Sequence, residues 1–315
     1  MIVLDKKPRI VVVGTRASAL AIAQTKIVVA LLRAAHPGLS IQTKRISTRG
    51  DRDRQTPLTK IGGRGIFVKE IENALLTGEI DIAVHSLKDM PIVQSDRLTV
   101  AAILSREDAR DALVSRLGLS LEKLPKGGRV GTGSLRRRAQ LRAFRSDLEI
   151  VALRGNVDTR LRKAATDAYD AVVLAVAGLI RLGRASEITE IIAPEIMLPA
   201  VGQGAICVEV RSDDLDLLEL ARCLDDPNTR AATTAERSFL RELGGGCRVP
   251  IAGYAVVVEK TLRLRGLVAD ISGTCIVRGK VIGPLTAARE LGRGLAHQLL
   301  DRGGAQLLEQ EDALG

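Results

Sequence analysis

Short apolar runs that break at a small-residue turn and continue as a helix recur along the first two thirds of this chain. They constrain the fold more than any other feature. Arg9 to Val13 runs into Gly14-Thr15-Arg16-Ala17-Ser18 and then an Ala-rich helical pattern to about Ala35, with Ser18 placed as an N-cap. Leu39 to Ser47 alternates as a second strand, Thr48 to Gly65 is a polar loop, Ile66 to Thr77 reads as a helix, and Ile80 to Val84 as a buried strand. The middle segment repeats the style. Arg129-Val130-Gly131 leads through Thr132-Gly133-Ser134 into a basic helix. Leu148 to Leu153 leads through Arg154-Gly155-Asn156 into another, and Ala171 to Ala175 precedes a third. Strands alternating with helices specify mostly parallel α/β sheets. After a Pro- and Gly-bearing crossing segment, Pro194 to Gly204, the pattern changes. A helix over Asn228 to Leu243, three alternating runs (Tyr254–Glu259, Thr261–Ala269, Thr274–Val281) and a helix from Leu285 to Leu300 read as a small α+β domain with an antiparallel meander.

The chain has 315 residues, 46% of them hydrophobic, enough for two or three domain cores. The longest apolar run, Ala171 to Ile180, falls well short of the roughly 20 residues of a membrane span. Asp5-Lys6-Lys7-Pro8 interrupts any secretory apolar region. The expectation is a cytoplasmic enzyme or binding protein with no membrane partner. None of Cys207, Cys223, Cys247 and Cys275 forms a CxxC pair, and His36, His85 and His297 are dispersed, so no metal site is expected.

Charge narrows the ligand. Of 47 basic residues, 35 are Arg and 12 Lys, against 37 acids. Residues 1–104 carry a net +7, residues 105–200 a net +5 and residues 201–315 a net −2. The guanidinium fork suits carboxylate or phosphate, so a polyanionic partner is expected. Aromatic residues are only 2% with no Trp, which leaves few stacking platforms for single-stranded nucleic acid. A small ligand with several carboxylates or phosphates fits better.

Three turns share one design: a strand, a Gly-bearing turn, a small hydroxyl and a helix, with Arg close to the turn. They are Thr15-Arg16-Ala17-Ser18, Thr132-Gly133-Ser134-Leu135-Arg136-Arg137, and Arg154-Gly155-Asn156 with Arg160. Helix N-termini expose unpaired N–H groups and favour anions. One such turn is ordinary capping; three with added Arg describe an anion-binding cleft between two α/β domains. Gly62-Gly63-Arg64-Gly65 with Lys60 reads as a cationic lid or a solvated loop, and it lacks the ending of a nucleotide-binding P-loop. His85-Ser86-Leu87-Lys88-Asp89 places Asp89 at a strand end, the position of a catalytic carboxylate or of a structural turn acid. Cys247 lies in Gly244-Gly245-Gly246-Cys247-Arg248, where glycines clear space and Arg248 favours thiolate, as for a modified or reactive cysteine. Cys207, Cys223 and Cys275 lie in apolar patterns and read as small core residues.

Four strings in one order carry a resemblance. Gly131-Thr132 with Arg136-Arg137, His85-Ser86-Leu87-Lys88-Asp89, Leu198-Pro199-Ala200-Val201-Gly202-Gln203-Gly204 and Gly245-Gly246-Cys247 resemble the porphobilinogen deaminase (hydroxymethylbilane synthase) family from about Arg9 to Tyr254. The resemblance implies three domains: 1–104 with 199–222, 105–198, and 223–315. The first two would be periplasmic-binding-protein-like and enclose the cleft. It implies a transferase of tetrapyrrole (porphyrin, heme) synthesis, working as a monomer. Such an enzyme joins four porphobilinogen molecules head to tail with loss of ammonia and releases a linear tetrapyrrole by hydrolysis. The chain would grow on a dipyrromethane cofactor linked as a thioether to Cys247. Each pyrrole carries an acetate and a propionate, so the growing chain is a polycarboxylate. By resemblance Lys88, Thr132, Ser134, Arg136, Arg137, Arg154 and Gln203 hold the cofactor. Arg16, Ser18, Arg154, Arg160 and Arg181 hold substrate, Phe67 stacks on a pyrrole, Lys60 and Arg64 belong to the lid, and Asp89 is the catalytic carboxylate. Two positions depart from the family: Arg64 stands where Lys is common, and Gly133 where Ser is common.

Two other function classes account for part of the pattern. A non-catalytic anion-binding clamp uses the same two domains but needs neither Cys247 in a glycine loop nor Asp89 at a strand end. A nucleic-acid-binding protein follows from net charge alone and requires a steep salt dependence of affinity.

Overall fold

The computed structural model describes residues 10–48, 68–244 and 249–313, which divide into two compact units. Of the described residues, the first unit holds 10–48, 68–105 and the return Ile206–Asp226, and the second holds Arg106–Ala205 and those from Pro227 on. The loop 199–205 falls within the second unit. Among the described residues no helix is long and apolar enough to cross a membrane.

In the first unit the chain runs β1 (Val11–Arg16), α1 (Ala19–Ala35), β2 (Ile41–Ile46), α2 (Lys69–Leu76), β3 (Ile82–Ser86) and β4 (Leu98–Ile103). The sheet order is β2-β1-β3-β10-β4, with β10 (Ile206–Arg211) supplied by the return. β1 pairs in parallel with β2 and β3, and β10 runs antiparallel to β3 and β4. Thr15 and Arg16, expected in the turn, continue β1, because β2 offers partners as far as Ile46. Val11, Val13, Val28, Leu32, Ile82, Val84 and Val208 form the core under α1, so its apolar face and the buried strands account for each other.

In the second unit a five-stranded sheet has the order β7-β6-β8-β5-β9. Its strands are β5 (Asp111–Ser115), β6 (Arg129–Gly131), β7 (Glu149–Val151), β8 (Ala171–Ala175) and β9 (Glu190–Ile192). Helices α3 (Leu135–Phe144), α4 (Val157–Ala164) and α5 (Val176–Arg181) follow β6, β7 and β8. The central strand β8 reads Ala-Val-Val-Leu-Ala and is almost wholly buried, the continuous apolar run expected of a strand covered on both faces. β6 lies parallel to β7 and β8, while β5 is antiparallel to β8 and β9.

After α6 (Leu215–Arg222) in the first unit, the remaining chain forms α7 (Pro227–Glu242), the meander β11 (Ile251–Val258), β12 (Thr261–Ala269) and β13 (Ile276–Pro284), then α8 (Ala288–Leu299) and, past a kink at 300–304, α9 (Ala305–Ala313). Phe239 of α7 is fully buried in this core, and Gly266 on β12 makes room for it. A Cβ there would sit 2.6 Å from the ring. Ala139 and Leu198 pack with Ala252, Leu267 and Ala269, which ties α3 to the meander. Glu236 of α7 is fully buried and saturated. It receives Arg106 at 2.6 Å and 3.2 Å, and the backbone N–H groups of Gly202 and Ala255 at 2.7 Å each.

Cys207 is buried in β10, but Cys223 and Cys275 are exposed. Cys223 is the C-cap of α6, and Cys275 precedes β13 in a turn closed by Asp270, so neither occupies the apolar face its neighbours suggest.

Candidate functional site

In the first unit the sequence brings two strand ends together. Ser18 stops β1 and caps α1, its hydroxyl accepting the Ala21 N–H at 3.3 Å. β3 ends at Ser86, and one short turn, Leu87–Asp89, follows. Leu87 is buried and pins that turn, which leaves Lys88 exposed and Asp89 half-buried. Arg16, Ser18, Gln24, His85, Ser86 and Asp89 line one small open hollow. The buried Gln24 amide pairs with the Ser86 hydroxyl at 2.8 Å and ties α1 to the end of β3. A half-buried carboxylate beside a guanidinium and a helix N-terminus can accept hydrogen bonds from a ligand N–H while the cationic groups hold a ligand carboxylate.

In the second unit the two predicted turns follow β6 and β7. Ser134 caps α3, accepting the Arg137 N–H at 3.4 Å, and its own N–H donates to Thr132 Oγ1 at 3.2 Å. Asn156 caps α4 through the Thr159 N–H at 2.9 Å. Arg160 Nε donates to the Gly155 carbonyl at 2.8 Å, so its fork is held over the turn. Arg154 Nη1 is buried with no hydrogen-bond partner among the described residues. Buried guanidinium donors are normally satisfied, so this atom points to a ligand acceptor. Gly133 has a local reason: a Cβ there would meet the Leu153 carbonyl oxygen at 2.7 Å.

Asp111, at the start of β5, is fully buried and organises three side chains. Arg136 Nη1 donates to it at 2.7 Å, Arg137 Nη2 at 2.7 Å and Gln203 Nε2 at 2.9 Å. Arg136 also reaches the Leu198 carbonyl and Arg137 the Val173 carbonyl, each at 2.8 Å. Burial pushes the Asp111 carboxyl up, but the charges of Arg136 and Arg137 outweigh it and hold the group well below the usual carboxylate range. Arg136, Arg137 and Gln203 are therefore buried parts of one network, where the sequence reading has them facing a ligand. Arg181 donates to the Gly204 carbonyl at 2.6 Å, and burial lowers its pKa, with Glu107 opposing.

Lys60, Arg64, Phe67 and Cys247 lie outside the described residues. The sequence reading missed Asp111, Glu209 and Glu236, all fully buried acids. One signal was present for Glu209: a lone acid inside the apolar run Ala205 to Val210. Asp111 likewise opens an apolar run, but nothing local distinguishes such an acid from a solvated strand end.

Two family models cover most of the chain. Residues 11–219 match the porphobilinogen deaminase, dipyromethane cofactor binding domain, and residues 231–301 match the porphobilinogen deaminase C-terminal domain. A porphobilinogen deaminase of Syntrophobacter fumaroxidans is 48% identical over 302 residues, 96% of this chain and 98% of its own length. One from Roseiflexus sp. (strain RS-1) is 52% identical over 297 residues, 94% and 98% respectively. Among solved structures, the methionine binding protein MetQ is 14% identical, with a TM-score of 0.42 over 69% of this chain and 89% of its own. Near full-length identity of about half, together with both family models in order, establishes that the chain belongs to the porphobilinogen deaminase family.

Proposed function

We propose that Asp89 is the catalytic carboxylate of a hydroxymethylbilane synthase in this chain, a transferase that condenses four porphobilinogen molecules head to tail. The observation that carries the assignment is the placement of Asp89. It is a half-buried acid, one short turn past β3, in a hollow it shares with Arg16 and Ser18. Loss of ammonia from the substrate aminomethyl group breaks a C–N bond, the electron pair leaving with nitrogen. The remaining methylene-pyrrole is electron-poor, and its ring N–H becomes a strong donor. Asp89 accepts that hydrogen bond and stabilises the cation. It also handles the proton at the departing amine and the proton lost when the new C–C bond forms. An Arg at this position could do neither, so one acid stands among cationic groups. A final hydrolysis releases the linear tetrapyrrole.

The donor set fits a polycarboxylate pyrrole. Arg154 offers a buried, unpartnered Nη1, and Ser18, Ser134 and Asn156 each open a helix beside an Arg. We assign Arg16 and Ser18, with Lys88 beside them, to substrate and chain carboxylates at the first unit. Thr132, Ser134, Arg154, Arg160 and Arg181 are assigned the same task at the second. Arg136, Arg137 and Gln203 support that surface from behind, since two Arg against Asp111 leave one net positive charge. The dipyrromethane group, linked through Cys247, supplies the free pyrrole α-carbon on which the chain starts. Phe67, Lys60 and Arg64, outside the described residues, are assigned to substrate on the family resemblance alone. The same reading makes the enzyme a cytoplasmic monomer that acts on free porphobilinogen and on no nucleic acid. Size-exclusion chromatography should give one monomer-sized species.

The deciding experiment is the intact mass of the denatured protein beside Cys247→Ser. The wild type should be heavier by two deaminated porphobilinogen units and the variant should not. A wild type that neither carries the addition, nor loads it from porphobilinogen, nor consumes porphobilinogen would overturn the reading in favour of an anion-binding clamp.

A further inference from the structure

Glu209 is a fully buried carboxylate on β10, and the family's chemistry gives it no task. Its position is unusual. The pairing of β10 with β4 shifts register between Val208 and Glu209. Such a bulge turns a side chain away from the direction regular alternation would give it, and bulges are frequent beside active sites. Among the described residues, two side chains lie within 3.2 Å of the Glu209 carboxylate. Oε2 lies 3.2 Å from His85 Nε2, both side chains being essentially inaccessible to solvent, although the two atoms are out of line for a hydrogen bond. Oε1 accepts the Gln94 side-chain N–H at 3.2 Å.

His85 is in β3, just before the turn Leu87–Asp89, and Gln94 follows that turn on the way into β4. One buried acid thus touches the chain on both sides of the turn that carries Asp89. His85 also lines the hollow with Asp89. Glu72 of α2 faces the same group. Burial raises its pKa first, the Glu209 charge raises it further, and His85 opposes.

We propose that Glu209 is a positioning residue for the reaction, stapling His85 and Gln94 so that the Asp89 turn holds its carboxylate in reacting geometry. The inference rests on Asp89 as the catalytic carboxylate. A staple of this kind acts on the chemical step and leaves the binding of substrate carboxylates alone. Displacing a reacting group by about 1 Å lowers rates by up to about 10²-fold.

The test measures steady-state porphobilinogen consumption, intact mass and thermal unfolding for Glu209→Ala, Glu209→Gln, Gln94→Ala and Asp89→Ala. Glu209→Ala should lower kcat by roughly 10- to 100-fold with KM within about twofold and the covalent mass addition retained. Glu209→Gln keeps an acceptor for Gln94 and should recover most of the loss. Gln94 is only half-buried, so Gln94→Ala should fold even where Glu209→Ala does not, and it should lower kcat by about 3- to 10-fold at unchanged KM. Wild-type kcat in Gln94→Ala, with Asp89→Ala inactive, would overturn the staple and leave the role of Asp89 standing. A kcat loss in Gln94→Ala that comes with an equal rise in KM would also overturn it. Turnover by Asp89→Ala would instead remove the reading on which the staple rests.

Discussion

The two five-stranded sheets have the same plan: three parallel strands, then an antiparallel fourth and an edge strand, in the orders β2-β1-β3-β10-β4 and β7-β6-β8-β5-β9. They use their acids differently. In the second, Asp111 is fully buried, ion-paired with Arg136 and Arg137 and hydrogen-bonded by Gln203. In the first, Asp89 is half-buried, in an open hollow beside Arg16. A carboxylate surrounded by donors has its charge fully spent on structure. One left half-open beside a cation keeps its lone pairs for a ligand. The same topology therefore holds a buried, Arg-paired acid in one copy and a half-buried acid in an open hollow in the other.

The sharpest way to break this contrast is to remove each acid in turn. Asp89→Ala should abolish turnover, by about 10²-fold or more, while leaving thermal unfolding and the circular dichroism spectrum nearly unchanged. Asp111→Ala should do the opposite in kind. It strands two buried guanidinium groups and should cost about 3–5 kcal/mol in urea unfolding. Equal loss of stability in both variants would erase the distinction.

Acid titration sharpens it. The folded-state pKa of Asp111 lies below its ordinary value of 3.8, so its contribution is fully present above that pH. The contribution is lost as pH falls below 3.8 toward the folded value. The stability gap between wild type and Asp111→Asn should be constant from pH 7 to about 5 and narrow below about 4. A gap that widens in acid would reverse the assignment.

Smaller effects test the ligand-facing side of the second sheet. Arg154→Ala removes the unpartnered buried donor and should reduce kcat/KM by about 10-fold, roughly 1.4 kcal/mol, with little change in stability. Gly133→Ser should restore the residue common in the family but press its Cβ on the Leu153 carbonyl. A destabilisation of about 1 kcal/mol is expected, read as a small fall in the urea midpoint. A stabilised Gly133→Ser would mean that the β7 end yields more easily than its geometry implies.

Much of the architecture was legible because its causes are local. Ser18, Ser134 and Asn156 cap the helices their positions suggested, since each side chain needs only an N–H two or three residues ahead. β3, β8 and the meander announced themselves by apolar run or alternation. β4, β5 and β9 did not, because their apolar character becomes informative only beside a partner strand. The candidate site divides along the same line. Asp89 stood out as an acid at a strand end. Arg136 and Arg137 looked like ligand-facing cations and proved to be buried, because Asp111 approaches from 25 and 26 residues away in the chain.

By itself the sequence determined the family, the alternation of strands and helices, the capped basic turns and the lone acid after β3. Each depends on residue type and spacing within a few positions. Only the tertiary structure decided which charges are spent. Whether an Arg meets an acid, or an acid meets a His and a Gln, depends on strands far apart in sequence lying side by side. A register shift such as that at Val208 and Glu209 leaves no local mark on the residues it redirects.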